Sequence, residues 1–312
     1  MKTCFLFPGQ GAQYPGMGKE LWETSAVVRE MFEHAADTTH IDVKKLLFEG
    51  TEEELKITDK TQIAVTLMNL SVAEVLEERG WVCDGAAGFS LGEFSAFTEA
   101  GVIHLDDVFP IVKIRGEIMN HVADSHDSGS GRPGMAAVIG LTYDQIQHII
   151  PEQKIANLYA ANNNAPHQVV LAGTYDALNQ AEEVCKAAGA KRFVKLRVSA
   201  PFHSPLMEEA RKEIAEVLKD YHFEDPKKPV YSNVTAQLIS SGVEAKELCI
   251  KQIVSTVRWV DVERQVLADG YNRCVECGPG KVLTGLWKSV SKDVECSPAG
   301  TLDKIEHLQR RR

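Results

Sequence analysis

Ala86-Ala87-Gly88-Phe89-Ser90-Leu91-Gly92-Glu93-Phe94-Ser95-Ala96-Phe97-Thr98-Glu99-Ala100-Gly101 reads as a short apolar strand, a turn with a glycine on each side of a serine, and a helix stopped by a glycine. A G-x-S-x-G turn between strand and helix throws its serine out on a sharp, strained bend, and the flanking positions must lack side chains so that neighbouring backbone can approach. The helix that follows points backbone N–H groups at the same spot, which suits a developing oxyanion. An ordinary glycine-rich turn is the plainer alternative; the strand before and the helix after favour a nucleophile at Ser90.

Working outward, Cys4 to Phe7 predicts another strand, turning at Pro8-Gly9-Gln10-Gly11 into a helix from Met17 to about Ala36. Ile63, Leu67, Leu70, Val75 and Leu76 fall near helical spacing and predict a buried helix. Asp106 is the expected N-cap of a helix carrying Val108, Ile111, Val112, Arg115 and Met119. Asp124 to Gly134 is polar and rich in Gly and Ser, the composition of a linker.

Beyond it, Met135–Gly140 (strand), Thr142–Ile150 (helix), Ile155–Asn162 (strand), Gln168–Gly173 (strand), Tyr175–Ala188 (helix) and Arg192–Leu196 (strand) give the order β-α-β-β-α-β, a ferredoxin-like unit. After Ser199 the larger unit resumes with a helix over Pro205–Lys219 and a strand over Val230–Asn233. Helices over Glu244–Gln252 and Val260–Asp269 and a strand over Arg273–Cys277 follow, and the turn Gly278-Pro279-Gly280 leads into a last helix. The expected architecture is α/β, with a large domain from residues 1–130 and 200–312 and a small inserted domain at 131–199.

The 312 residues, 44% hydrophobic and 25% charged, have a globular composition, and the net charge of −10 disfavours a nucleic-acid partner. Seven scattered cysteines do not make a secreted disulfide framework, so a reducing cytoplasm is the expected setting. The apolar stretch at the N-terminus is too short for a signal peptide, and no apolar run approaches the ~18 residues of a membrane span.

A serine nucleophile needs a base. Of ten histidines, His203 stands out in Ser199-Ala200-Pro201-Phe202-His203-Ser204-Pro205, with Ser204 as expected N-cap and Pro205 as first helical residue. A histidine just before a helix N-terminus stays neutral in the dipole's positive field, as a base must. A histidine merely packed at a helix start fits the same pattern. More than a hundred residues follow His203, a poor match to the serine, acid, histidine order of lipase-type hydrolases.

Arg115 lies in an apolar helical stretch, which predicts either a buried carboxylate partner or, equally, a place on the polar face or a pairing in the neighbourhood of Glu117. Cys274-Val275-Glu276-Cys277 is a lone C-x-x-C without the second pair that zinc needs, so structural cysteines are expected; Gly9-Gln10-Gly11 lacks the Gly-Lys-Ser/Thr of a phosphate loop. Lys191, Arg192, Lys195 and Arg197 make either a basic patch for an acidic partner or a charged strand edge.

Taken together, Pro8 to Gln13, Gly88 to Glu93, Arg115-Gly116 with Met119, Asn162-Asn163-Asn164-Ala165-Pro166, Ser199 to Ser204, Gln252, Val257-Arg258-Trp259 and Gly278-Pro279-Gly280 closely resemble the malonyl-CoA:acyl carrier protein transacylase family, in order along nearly the whole chain. The resemblance implies an α/β-hydrolase-like large domain with a ferredoxin-like insert. It implies ping-pong transfer of malonyl from CoA to the phosphopantetheine thiol of acyl carrier protein, in fatty-acid or polyketide synthesis, with no metal or redox cofactor.

It also implies Ser90 as nucleophile, His203 as base, and the backbone N–H groups of Gln10 and Leu91 as oxyanion hole. Arg115 would meet the malonyl carboxylate, beside Met119 and Asn162, and the backbone carbonyl of Gln252 would orient His203. Phe202 is the residue that malonyl-selective members carry. The family usually has histidine where this chain has Phe89. An acyl hydrolase and an inactive carrier-docking module are the rival readings; Arg115 argues against the first, and the presence of both Ser90 and His203 against the second.

Overall fold

In a computed structural model that describes residues 1–125, 131–196, 198 and 200–310, nine strands form two separate sheets. Strands β1 (Thr3–Phe7), β2 (Gly85–Gly88), β7 (Val230–Tyr231), β8 (Arg273–Glu276) and β9 (Cys296–Pro298) make a parallel sheet in the order β7-β2-β1-β8-β9. Strands β3 (Gly134–Ile139), β4 (Leu158–Ala165), β5 (Gln168–Gly173) and β6 (Arg192–Lys195) make an antiparallel sheet in the order β4-β5-β3-β6. The expected α/β class therefore holds at the level of a parallel sheet and a separate antiparallel one.

β1 is the central strand, and all five of its residues are buried, as a parallel strand covered on both faces requires. Phe5 and Phe7 join the core on one face; Cys4 and Leu6 join another on the opposite face. The antiparallel sheet has its own core, in which Val138, Val169 and Leu171 pack on the helices Tyr143–Glu152 and Tyr175–Ala187 through Ile146, Leu178 and Ala181. Its other face, with Met135, Ala161, Val170 and Ala172, packs against Phe202. The site lies on that side.

Several boundaries differ from expectation. The first helix is broken at Ser25 into Lys19–Thr24 and Ala26–Thr39, because Ser25 is extended and its side chain caps the second piece. Asp106 is not the N-cap: the helix Leu105–Ser125 starts one residue earlier, and His104 Nδ1 accepts from the Asp106 N–H at 3.3 Å. Pro205 does begin a helix, but as a 3₁₀ turn, Pro205–Met207, ahead of Glu208–Val217; the Ser204 hydroxyl donates to the Pro201 carbonyl at 2.6 Å instead of capping it.

The helix after Gly280, Val282–Trp287, is not the last element, since β9 and the helix Leu302–Arg310 follow. The expected linker is ordered at both ends, Ser125 closing a helix and Gly134 opening β3. Residues 126–130 within it, with His126, and also Arg197, Ser199, Arg311 and Arg312, lie outside the described residues.

Helix Leu105–Ser125 crosses helix Thr58–Glu78 at Gly116, where an added Cβ would stand 2.5 Å from the Asp59 Cα. That contact is backbone and cannot swing aside, so Gly116→Ala should destabilise the protein by ~1–3 kcal/mol in urea unfolding. Gly285, helical with open space around it, is the control: Gly285→Ala should stabilise by roughly 0.5–1 kcal/mol. Equal effects at the two positions would contradict the close crossing.

Candidate active site

The turn after β2 places Ser90 at φ 52°, a left-handed conformation that costs a non-glycine residue ~1–3 kcal/mol and persists only where its surroundings impose it. Asn233, just beyond β7, imposes it: Oδ1 accepts from the Ser90 N–H at 2.7 Å, and Nδ2 donates to the Gly88 carbonyl at 2.6 Å. Gly92 and Gly9 let β1 lie against this turn, since a Cβ on Gly92 would stand 2.0 Å from the Phe7 carbonyl and one on Gly9 2.5 Å from the Phe89 carbonyl. The close approach brings Gln10 to the same cavity as Leu91. Leu91 stands at the N-terminus of helix Gly92–Glu99, and among the described residues neither its amide nor that of Gln10 has a hydrogen-bond partner.

His203 Nε2 lies 2.7 Å from Ser90 Oγ. Its Nδ1 is 2.9 Å from the backbone carbonyl of Gln252. A carbonyl only accepts, so Nδ1 carries the ring proton and Nε2 is the free lone pair facing the serine hydroxyl. Gln252 is the last residue of helix Gly242–Gln252, where carbonyls have no partner within the helix and are free to accept from a side chain such as His203. Burial, aided by the charge of Arg115, lowers His203 to about 4 although the Gln252 carbonyl pulls the other way. The neutral ring was expected; its cause is desolvation rather than a helix N-terminus.

Arg115 is buried, 3% exposed, and burial lowers it to about 10, so it stays charged at neutral pH. Among the described residues no carboxylate pairs directly with it, although the charge of Glu93 reaches it. Nη1 donates to Gln62 Oε1 at 2.8 Å and Nη2 to Gln252 Oε1 at 3.2 Å, while Nε is buried without a partner. Two neutral amide oxygens hold the cation in place without an ion pair of its own.

Glu93 is a buried acid whose charge acts on Arg115. It accepts from the Gln252 side-chain amide at 2.6 Å and the Asn233 N–H at 2.7 Å, and burial pushes it up to about 8 against both bonds and the charge of Arg115.

Gln10, Ser90, Leu91, Arg115, Met119, Asn162, Phe202 and His203 all line one cavity of about 240 Å³ between the two sheets. Gln252 lies behind it, fully buried. The Met119 sulfur accepts from Gln62 Nε2 at 3.8 Å, and Asn162 bridges β4 to Val257. Phe89 also lines the cavity, its ring edge-on to Trp259 with centroids 5.4 Å apart. Cys274 and Cys277 are free and buried, and burial pushes both thiols well above their usual range.

The sequence reading missed Asn233, Gln62 and the contacts of Glu93. Asn233 carried one usable signal, a polar residue just past the carboxyl end of a parallel strand, where α/β sheets build their sites.

Comparison with known proteins agrees along the full length. The model of the acyl transferase domain family matches residues 4–308. The chain is 38% identical over 307 residues to the malonyl CoA-acyl carrier protein transacylase of Bacillus subtilis (strain 168), covering 98% of this chain and 95% of that one. The solved acyl-carrier-protein S-malonyltransferase of Burkholderia pseudomallei 1710b superposes with a TM-score of 0.94 at 34% identity, over 99% of this chain and 100% of that one. A malonyl-transacylase solved in complex with its type II PKS acyl-carrier protein gives 0.94 at 32% identity over 100% of both chains.

If His203 is the base, Ser90 reactivity should follow its low pKa. Labelling by a fluorophosphonate should be level from about pH 8 down to about pH 5 and fall only as the ring gains a proton near pH 4. A midpoint near the ordinary histidine value of 6.5 would contradict a buried, neutral His203.

Proposed function

The chain belongs to the acyl transferase domain family, and from that premise we infer that it transfers malonyl groups from coenzyme A to the phosphopantetheine thiol of an acyl carrier protein. One observation carries the substrate choice. A buried guanidinium opens on the same cavity as the Ser90–His203 pair, anchored by two amide oxygens and, among the described residues, in direct contact with no carboxylate. A substrate carboxylate supplies what it lacks.

The residues act as follows. Ser90 Oγ attacks the thioester carbonyl as His203 Nε2 takes its proton, and the Gln10 and Leu91 amides hold the tetrahedral oxyanion. The carbonyl re-forms, the CoA sulfur departs, and His203 returns the proton to it, leaving malonyl on Ser90. The carrier thiol then enters, gives its proton to His203 and takes the malonyl group, and the proton returns to Ser90. Throughout, Arg115 holds the distal carboxylate, and the Phe202 ring restricts room beside the acyl chain.

The finer fold is part of the proposal. The large unit, 1–130 and 200–312, is α/β-hydrolase-like, and 131–199 is a ferredoxin-like insert, in keeping with the order β4-β5-β3-β6. A reducing cytoplasm fits seven buried, free thiols. Lys191, Arg192 and Lys195 are exposed along β6 and offer a basic edge to an acidic carrier, although Lys195 also donates to Asn179 at 2.5 Å and lies 3.9 Å from Glu182.

Arg115→Ala should lower kcat/KM for malonyl-CoA by about 10- to 100-fold and leave acetyl-CoA little affected, because the lost contact is a charge-assisted hydrogen bond that only malonyl makes. Arg115→Lys, a point charge without the planar fork, should recover part of the loss. The ratio of the two specificity constants is the measurement, and a ratio unchanged in Arg115→Ala would overturn the carboxylate clamp and favour a simple acyl hydrolase.

A further inference from the structure

Glu93 has no part in the reaction just described, yet it is a fully buried acid three residues from the nucleophile. Its two oxygens take different donors: Oε1 the backbone N–H of Asn233, Oε2 the side-chain amide of Gln252. Two donors on two oxygens is the arrangement that a carboxylate's acceptors satisfy; both bonds and the charge of Arg115 favour the ionised form, while burial, the larger effect, raises the group to about 8, so its role here follows from the two-donor geometry. The Gln252 amide nitrogen also donates to the Ser90 carbonyl at 3.0 Å.

A carboxamide has one donating end and one accepting end. With two acceptors, Glu93 and the Ser90 carbonyl, on one side and a guanidinium on the other, only one orientation satisfies every partner. The oxygen of Gln252 must face Arg115.

Resting on the reading of Arg115 as the malonyl clamp, we propose that Glu93 is a positioning residue for acyl selectivity: by holding the Gln252 amide nitrogen it turns the carboxamide oxygen toward Arg115. The guanidinium is thereby anchored through a neutral group and stays free for the substrate. Were Glu93 to reach Arg115 directly, their ion pair would compete with the malonyl carboxylate for the same fork. One intervening amide keeps the acid out of that contest and still lets it set the geometry.

The experiment begins with Glu93→Gln, the same shape with one acceptor exchanged for a donor. Asn233 donates from its main chain and cannot turn away, so the new amide keeps its oxygen there and presents its NH₂ to Gln252. Two donors then face each other, and the Gln252 carboxamide turns over to set its own NH₂ against Arg115.

The KM for malonyl-CoA should rise about tenfold or more, while acetyl transfer and fluorophosphonate labelling of Ser90 fall by much less. Gln252→Met keeps its main-chain carbonyl for His203 and should lose malonyl preference to a similar extent. The double variant should be no worse than either single one, since both remove the same link.

Equal losses for malonyl and acetyl in Glu93→Gln, or losses that multiply in the double variant, would overturn the relay. A wild-type enzyme with no malonyl preference would instead overturn the Arg115 clamp itself, so the two failures are told apart by the first measurement.

Discussion

A single buried glutamine ties together the groups on which the site depends. The main-chain carbonyl of Gln252 fixes the His203 tautomer, and its carboxamide meets the Ser90 carbonyl, Glu93 and Arg115 within 3.2 Å. Every polar atom of that side chain is used, which is what full burial demands. The Ser90 turn, the His203 ring and the Arg115 cation therefore cannot drift independently. The same residue that holds the His203 ring beside Ser90 also anchors the Arg115 guanidinium.

The second constraint is backbone crowding. Ser90 and His203 both adopt positive φ, 52° and 56°, and face each other across a 2.7 Å contact. Neither conformation persists unaided. Asn233 holds the first through its bonds to Ser90 and Gly88, and the second lies between the Pro201–Ser204 hydrogen bond and the carbonyl of Gln252. The glycines at 9 and 92 matter for the same reason: without them β1 cannot approach the turn closely enough to bring Gln10 beside Leu91.

What could be read from the sequence was whatever is encoded locally. The Ser90 turn, the strand runs of β1 and β5 and the helix expected over Thr142–Ile150, found as Tyr143–Glu152, each have their signal within a few residues, and each is present. The six-element order of the antiparallel unit was legible for the same reason, though β4 lies a few residues later than its apolar pattern suggested and is bulged. β9 escaped because three residues ending in proline carry no periodicity. The helix Leu302–Arg310 escaped with it.

The network around Arg115 was out of reach for a different reason. Gln62 and Gln252 lie 53 and 137 residues from Arg115 in the chain, and Asn233 lies 143 from Ser90, so although the place of Asn233 at a strand end was a hint, nothing local says which groups these side chains meet. The expected carboxylate opposite Arg115 followed from a sound rule about buried charge. The protein meets that demand in part, with two amide oxygens.

The most direct test of that account is a chase of the isolated acyl-enzyme. Protein treated with malonyl-CoA, freed of small molecules and followed by intact-mass spectrometry should carry one malonyl group, absent from Ser90→Ala. Adding holo acyl carrier protein should move the group to the carrier thiol far faster than it is lost to water. Loss to free malonate at one rate with or without carrier, or an adduct that survives in Ser90→Ala, would contradict it.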